Sequence, residues 1–201
     1  MIVIKFGGHA MTDTTGTFAE VIRKSLAKEP CVIVHGGGPQ IDAALKTHQL
    51  DSTFIGGFRV TTPEIFAVVQ QVLSGTVLRE VVGHLRAHDV EAVGITGRDG
   101  GTLQAKVLKT LVDGTEADLG RVGEVVHVDS ALLQSLLTSG FTPVLSPIAV
   151  EFDGEVEVPQ HGLNVNADLA AAAVAGALDA SALIFMTDVP GIYRNWPDKD
   201  S

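Results

Sequence analysis

Cysteine is almost absent from this 201-residue chain, and long uninterrupted apolar stretches are absent too. The single cysteine, Cys31, excludes an internal disulfide and a cysteine-based zinc site, and it predicts a reducing, cytoplasmic environment. The longest apolar tract, 167–178, contains Asp168 and is shorter than the ~20 residues of a membrane-spanning helix. The apolar run at 1–6 is too short for a signal peptide and contains Lys5. We therefore expect no membrane partner.

Basic residues are scarce relative to acidic ones. Lys and Arg number 14 against 24 Asp and Glu, which gives a formal net charge of −10. A surface that binds duplex nucleic acid normally needs a basic face, so the charge balance argues against a nucleic-acid partner. Hydrophobic residues make up 45% of the chain, which is enough for a core and excludes a disordered chain.

Several familiar signatures of nucleotide-binding and hydrolytic enzymes are missing. No Gly-Lys dipeptide is present, which excludes a Walker A loop. The glycines after His35 do not fit G-x-G-x-x-G, because Ile41 stands where the last glycine is required. The seven histidines show no metal-ligand spacing, so no protein-bound metal is predicted. No Ser-His-Asp or Cys-His arrangement stands out.

What is present is an alternation of short apolar runs with helical patterns. It predicts strands at 2–6, 31–34, 90–95, 141–146 and 183–186, and helices at 18–28, 39–46, 62–87, 129–137 and 167–178. Antiparallel pairing is predicted for 103–112 with 122–128, and for hairpins at 54–61 and 149–158. Strands joined by helices form β-α-β units, so we expect an α/β fold with three layers and a central, mostly parallel sheet.

Four of the predicted strands end in marked sequences, which are Lys5-Phe-Gly-Gly8, His35-Gly-Gly-Gly38, Thr96-Gly-Arg-Asp-Gly100 and Thr187-Asp188. Ligands of open α/β sheets bind at the carboxyl ends of the strands. Glycine turns leave backbone N–H groups open to an anion, and the helix that follows adds its positive end. Two such loops facing one another predict a phosphate site, although a tight structural turn would explain any one of them.

A few polar side chains are candidates for direct chemistry. Lys5 lies near the end of an apolar strand, so it is either in solvent on an edge strand or aimed at a phosphate. Asp168 could pair with Lys5, although a charge at a helix start needs no further role. Arg59, in a glycine-rich arm, suits a substrate carboxylate unless it is simply a surface arginine. Either Asn164 or Asn166 could cap the last helix, which leaves the other for a ligand.

Together these motifs resemble the amino acid kinase family, and within it the branch that phosphorylates N-acetyl-L-glutamate. The matching segments occur in family order along the chain: Lys5-Phe-Gly-Gly-His-Ala-Met, Val32-Ile-Val-His-Gly-Gly-Gly-Pro-Gln-Ile, Gly56-Gly-Phe-Arg-Val-Thr, Val93-Gly-Ile-Thr-Gly-Arg-Asp-Gly, Asp118-Leu-Gly-Arg-Val-Gly-Glu-Val, Asn164-Val-Asn-Ala-Asp and Thr187-Asp-Val-Pro-Gly-Ile-Tyr. The first and last motifs are shared with sister kinases, whereas Phe-Arg-Val-Thr and Asn-Val-Asn-Ala-Asp are more specific. The resemblance implies a carbamate kinase-like fold in one domain, with a substrate-binding and dimerisation lobe at about 1–160 and the start of a nucleotide-binding lobe at about 161–201.

The resemblance also implies a reaction and a set of roles. ATP, with Mg²⁺, would phosphorylate the side-chain carboxylate of N-acetyl-L-glutamate to N-acetyl-glutamyl 5-phosphate, the second step of arginine biosynthesis. The implied roles are catalysis by Lys5 and Asp168, substrate binding by Gly37, Gly38, Arg59 and Asn164, and nucleotide binding by Gly7, Gly8 and Asp188. A homodimer is implied as well.

Two departures from the family pattern qualify that expectation. The chain stops at Ser201, before the part that normally supplies a second phosphate-contacting lysine, so we expect a truncated chain that is inactive as a kinase on its own. Met1 begins directly on the first strand, without the extra helix of arginine-inhibited hexameric relatives, which predicts weak arginine feedback.

Two alternatives stay open. One is a sister carboxylate kinase, such as the carrier-protein aminoadipate kinase of lysine biosynthesis, and the other is a non-catalytic ligand-binding subunit.

Overall fold

A parallel sheet forms the centre of the computed structural model, which describes residues 1–7 and 16–186. Its five strands lie in the order β11 (Ala182–Met186), β1 (Ile2–Phe6), β2 (Cys31–His35), β8 (Thr142–Ser146) and β5 (Ala92–Thr96). Every neighbouring pair in this sheet is parallel. The expected α/β class and mostly parallel sheet are confirmed, and each of these strands begins and ends within about two residues of its predicted bounds.

Helices cover both faces of the sheet. One face packs against α1 (Thr17–Leu26), α2 (Gly38–Thr47), α3 (Pro63–Gln70) and α4 (Leu78–Arg86). The other packs against α5 (Ala131–Thr138) and α6 (Ala167–Ala177). Two separate apolar clusters result, one on each side of the sheet, which confirms the three layers expected from the sequence.

Strand β1 is the strand that positions the site. Its side chains alternate, so Ile2, Ile4 and Phe6 join the cluster under α1 to α4, whereas Val3 joins the cluster under α5 and α6. By the same alternation Lys5 shares the face of Val3. Because β1 has hydrogen-bonded neighbours on both sides, the interpretation of Lys5 as a residue of an edge strand is wrong.

The long helix predicted at 62–87 is present but not uniform. It begins after Thr62, whose hydroxyl accepts a hydrogen bond from the Ile65 N–H, and a π-helical segment, Gln71–Val77, joins α3 to α4. The periodicity of the apolar residues does not predict such a segment. The run Pro63–Arg86 is long enough to cross a membrane and contains an 18-residue stretch with a mean hydropathy of 1.4, but half of that stretch is buried inside the protein. Core helices of soluble proteins pass the same test.

A small barrel stands beside the main sheet. It contains β6 (Leu103–Val107), β7 (Val122–Val128), β9 (Ile148–Phe152) and β10 (Glu157–Val165). The expected antiparallel pairs β6–β7 and β9–β10 are present, although β6 ends earlier and β10 continues further than predicted. The barrel closes through two parallel contacts, β6 with β9 and β10 with β7, that the sequence did not predict. Through β10 the chain returns from the barrel to the main sheet.

The glycine-rich arm folds as the predicted hairpin, with β3 (Phe54–Ile55) paired to β4 (Phe58–Arg59). Both turn residues have positive φ, 57° at Gly56 and 85° at Gly57. Such a two-residue turn matches the strand twist but is strained for residues with a side chain, so the glycine pair is required there.

Helix α6 begins with a side-chain cap. The Asn166 Oδ1 accepts hydrogen bonds from the backbone N–H groups of Asp168, at 2.8 Å, and Leu169, at 3.2 Å. Helix α5 differs, because its N-cap residue, Ser130, makes no cap hydrogen bond. The predicted cap of α5, Asp129, lies one residue further upstream and accepts a hydrogen bond from the Ala131 N–H.

We predict that Asn166→Ala lowers the free energy of unfolding by about 1 kcal/mol, because two N–H groups of α6 lose their acceptor. The matched control is Ser130→Ala, which removes an N-cap side chain with no cap bond and should change stability by less than about 0.5 kcal/mol. Urea unfolding followed by circular dichroism measures both. Equal losses in the free energy of unfolding of the two variants would show that the side-chain cap of α6 does not stabilise the protein.

Candidate active site

A cavity of about 310 Å³ opens at the carboxyl ends of β1 and β2. Seven of the nine predicted site residues line it, and they are Lys5, Gly7, Gly37, Gly38, Arg59, Asn164 and Asp168. The other two, Gly8 and Asp188, lie outside the described residues. The structure therefore brings together residues that are up to about 160 positions apart, at the place where ligands of open α/β sheets bind.

Within the cavity, Lys5 is paired with Asp168. The Lys5 Nζ lies 3.1 Å from the Asp168 Oδ1, and only 14% of the Lys5 side chain is exposed. The cap by Asn166 fixes the first turn of α6, and with it the position of Asp168. Gly7 leaves room for the ammonium group, because a Cβ atom there would lie 2.7 Å from Nζ. A nearly buried cation with one carboxylate partner can still attract an anion from the cavity.

The glycine loop between β2 and α2 forms the floor of the cavity. The Gly36 N–H donates to the Phe6 carbonyl, which ties this loop to the end of β1. Helix α2 begins at Gly38 without a side-chain cap, so no side chain competes with a ligand for the start of this helix. A ten-residue helix whose positive end faces the cavity favours a negatively charged ligand group.

Arg59 is the second cation that lines the cavity. Its Nη2 lies 2.7 Å from the Asp42 Oδ1, and its Nη1 donates to the Ser52 hydroxyl at 2.6 Å. The guanidinium carbon lies 4.6 Å from the centre of the Phe54 ring. Only 6% of the side chain is exposed, which excludes the interpretation of Arg59 as a surface residue. A fixed, planar cation of this kind suits a ligand carboxylate.

Asn164 also lines the cavity and is the penultimate residue of the barrel strand β10. Its side-chain Nδ2 donates to the Thr61 hydroxyl at 3.3 Å, and that hydroxyl donates to the Arg59 carbonyl at 2.8 Å. Because Asn166 caps α6, Asn164 is the asparagine of the two whose side chain is not used as a cap. The fully buried Thr61 links Asn164 to Arg59 and was missed, since a threonine in an extended segment carries no functional signal.

His35 is buried at the end of β2, next to the glycine loop. Burial lowers the pKa of His35 to about 4, against the weaker opposing effect of its hydrogen bond to the Gly36 carbonyl. The imidazole is therefore neutral at pH 7 and donates from Nδ1 to that carbonyl.

Burial also raises the pKa of the Cys31 thiol to about 12, so this cysteine is an unreactive part of the core.

The described part of the chain offers no resident metal centre. Residues 1–7 and 16–186 contain no group of three or more His, Cys, Asp or Glu side chains placed to hold an ion. Among the described residues, the cavity lining provides two cations, Lys5 and Arg59, one carboxylate, Asp168, and the side-chain amides of Asn164 and Asn166, together with backbone N–H groups.

Comparison with known proteins gives a consistent match. The sequence profile of the amino acid kinase family matches residues 1–201. An acetylglutamate kinase of Paenarthrobacter aurescens is 51% identical over 208 residues, which cover 100% of this chain and 66% of that protein. One from Bifidobacterium adolescentis is 49% identical over 204 residues, with 100% and 63% covered. The chain thus spans about two thirds of the length of the curated relatives it matches.

Solved structures agree on the fold. The protein smu.665 from Streptococcus mutans superposes with a TM-score of 0.83 at 31% identity, over 96% of this chain and 75% of that one. An N-acetylglutamate synthase from Neisseria gonorrhoeae, complexed with coenzyme A and N-acetyl-glutamate, has a TM-score of 0.76 at 24% identity, over 98% of this chain and 43% of that one. The second similarity concerns the fold alone.

We predict that stability falls as the pH is lowered from about 6.5 to about 4. The unfolded chain binds a proton at His35 near the ordinary pKa of 6.5, whereas the folded protein binds it only near 4, so acid favours unfolding across this window. The full loss is about 3 kcal/mol. His35→Asn keeps a side-chain N–H donor and should flatten the dependence, whereas His48→Asn, at an exposed histidine, should leave it unchanged. Denaturant unfolding at a series of pH values measures these slopes, and identical slopes in the wild type and His35→Asn would contradict the prediction.

Proposed function

The chain belongs to the amino acid kinase family, and from that membership we propose that it belongs to a protein that phosphorylates N-acetyl-L-glutamate. ATP is the phosphoryl donor, the side-chain carboxylate is the acceptor, and N-acetyl-glutamyl 5-phosphate is the product. In a cell this reaction is the second step of arginine biosynthesis, in the cytoplasm. The observation that carries the proposal is a single cavity lined by both Lys5 and Arg59, in a chain about half identical to acetylglutamate kinases.

The chemistry requires little from the protein beyond positioning and charge. A carboxylate is already ionised at pH 7, so its attack on a phosphorus atom needs no general base. This agrees with the described residues that line the cavity, which include no histidine or cysteine, while the nearby His35 is buried and neutral. Catalysis of phosphoryl transfer then depends on alignment and on cations and N–H groups that neutralise charge on the transferred group.

Each residue of the cavity takes a part of that task. Lys5 neutralises charge on the migrating phosphoryl group, and Asp168, 3.1 Å away, orients the ammonium group. On the resemblance to the family, we propose that Gly7 and Gly8 donate N–H groups to ATP phosphates and that Asp188 contributes to nucleotide binding. The acetylated amino acid is held by Gly37, Gly38, Arg59 and Asn164, with the α-carboxylate on the Arg59 guanidinium.

Mg²⁺ is a plausible companion of ATP in this reaction for a chemical reason. It prefers oxygen ligands and is often bound through substrate phosphates with few protein carboxylates. Since residues 1–7 and 16–186 contain no cluster of metal ligands, we propose that Mg²⁺ arrives with the nucleotide. Bound there, it supplies charge neutralisation on the phosphate oxygens.

The organisation of the complete protein is also a proposal. We infer a substrate-binding and dimerisation lobe at about 1–160, followed by the start of a nucleotide-binding lobe, with the boundary inside β10. A homodimer is proposed together with this division, on the resemblance to the family. Sedimentation of the purified chain tests the oligomeric state.

Calorimetric titration with N-acetyl-L-glutamate tests the proposed substrate. We expect binding that depends on the acetyl group, because L-glutamate carries an ammonium charge at that position and an unpaired charge is costly to bury. Arg59→Lys should weaken binding roughly 10- to 100-fold, since a lysine cannot reproduce the planar fork of N–H donors. Arg23→Lys, at an exposed position on α1, is the matched control and should bind like the wild type.

Two outcomes would count against this function. Equal binding of L-glutamate and N-acetyl-L-glutamate would point to a sister kinase with another carboxylate substrate. No binding by a chain with a normal circular dichroism spectrum would remove N-acetyl-L-glutamate as the ligand of this cavity.

A further inference from the structure

We propose that Asp42 is a positioning residue, whose carboxylate holds the Arg59 guanidinium in the orientation that receives the substrate's α-carboxylate. The inference rests on the proposed function, and it concerns a residue for which the sequence suggested no role. Asp42 stands four residues after Gly38, on the first turns of α2, and carries no motif of its own.

The contact between Asp42 and Arg59 is strongly asymmetric. The guanidinium is buried, with 6% of its side chain exposed, whereas 61% of the Asp42 side chain is exposed. A surface ion pair between two mobile side chains contributes little. Here one partner is already fixed by the Phe54 ring and the Ser52 hydroxyl, so a single carboxylate at 2.7 Å suffices to select its orientation.

The bonds that fix Arg59 leave part of it available. An arginine has five N–H donors; here Nη1 donates one to the Ser52 hydroxyl, and Nη2 forms an ion pair with the Asp42 carboxylate. The remaining N–H groups can bind a ligand carboxylate while the protein contacts persist. Asp42 therefore does not compete with the substrate. A carboxylate that occupied the same N–H groups as the substrate would have to leave Arg59 before the substrate could bind.

The pair also joins two walls of the cavity. Asp42 belongs to α2, the helix that follows the glycine loop, and Arg59 belongs to the hairpin β3–β4. Both walls carry proposed substrate contacts, Gly37 and Gly38 on one and Arg59 on the other. The Asp42–Arg59 contact therefore sets the distance between them, and a misplaced contact group is costly for binding and catalysis.

The direction in which the affinity for N-acetyl-L-glutamate changes distinguishes a positioning role of Asp42 from a purely electrostatic one. Asp42→Asn removes a negative charge close to an anion site, so Coulomb interactions alone would strengthen the binding of N-acetyl-L-glutamate. A lost positioning contact weakens it. We expect roughly tenfold weaker binding by calorimetry.

Three further variants complete the binding experiment. Asp51→Asn removes the same charge from an exposed neighbour of Ser52 and should bind as tightly as the wild type or slightly tighter. Ser52→Ala removes the other polar contact of Arg59 without a change in charge, and should weaken binding. Asp42→Glu keeps the carboxylate and should restore most of the affinity. Binding by Asp42→Asn at or above the wild-type affinity would overturn the proposal.

A second measurement needs no ligand. Nitrogen-15 spectra of the arginine side chains report whether the Arg59 guanidinium is fixed, because a fixed group shows separate, slowly exchanging N–H signals. We expect these signals in the wild type and in Asp51→Asn, and their averaging in Asp42→Asn. If the wild type bound no N-acetyl-L-glutamate, the proposed function would fail while these spectra still decided whether Asp42 fixes Arg59. Unchanged Arg59 signals in Asp42→Asn would refute that role.

Discussion

The position of Lys5 on an interior strand constrains much of the surrounding structure. Parallel neighbours occupy both sides of β1, so the Lys5 side chain can point only toward one face of the sheet, and the alternation along β1 selects the face of α6. A charge on that face needs a partner. Asp168 provides it, which requires that α6 begin close to the carboxyl end of β1 and that Asn166 fix its first turn.

Much of this arrangement could be predicted from the sequence because the signals are local. Apolar runs followed by glycines mark strands that end at one edge of a parallel sheet, and Lys5 and the glycines after His35 are placed by that rule alone. The pairing of Lys5 with Asp168 follows from the cost of an unpaired charge. Two adjacent glycines likewise predict the turn that carries Arg59 into the cavity.

The features that were not predicted depend on contacts between distant segments. Closure of the barrel requires β6 to pair with β9 and β7 with β10, and no periodicity within a strand specifies its partner. The proposed role of Asp42 has the same origin, since it contacts Arg59 from another element, and Thr61 is involved through its hydrogen bond with Asn164, 103 positions away in the chain. The π-helical segment also lacks a pattern of its own, because its apolar residues fit an ordinary helix equally well.

The strand order has a consequence for how the protein is made. Ile2 pairs with Ala182 on one side of β1, and the Ser181 N–H donates to the Met1 carbonyl. One edge of β1 therefore stays open until β11, about 180 residues later in the chain, has been synthesised. At typical rates of translation this delay is roughly 10–40 s, during which an apolar strand with unpaired N–H and C=O groups is available to chaperones or to other nascent chains.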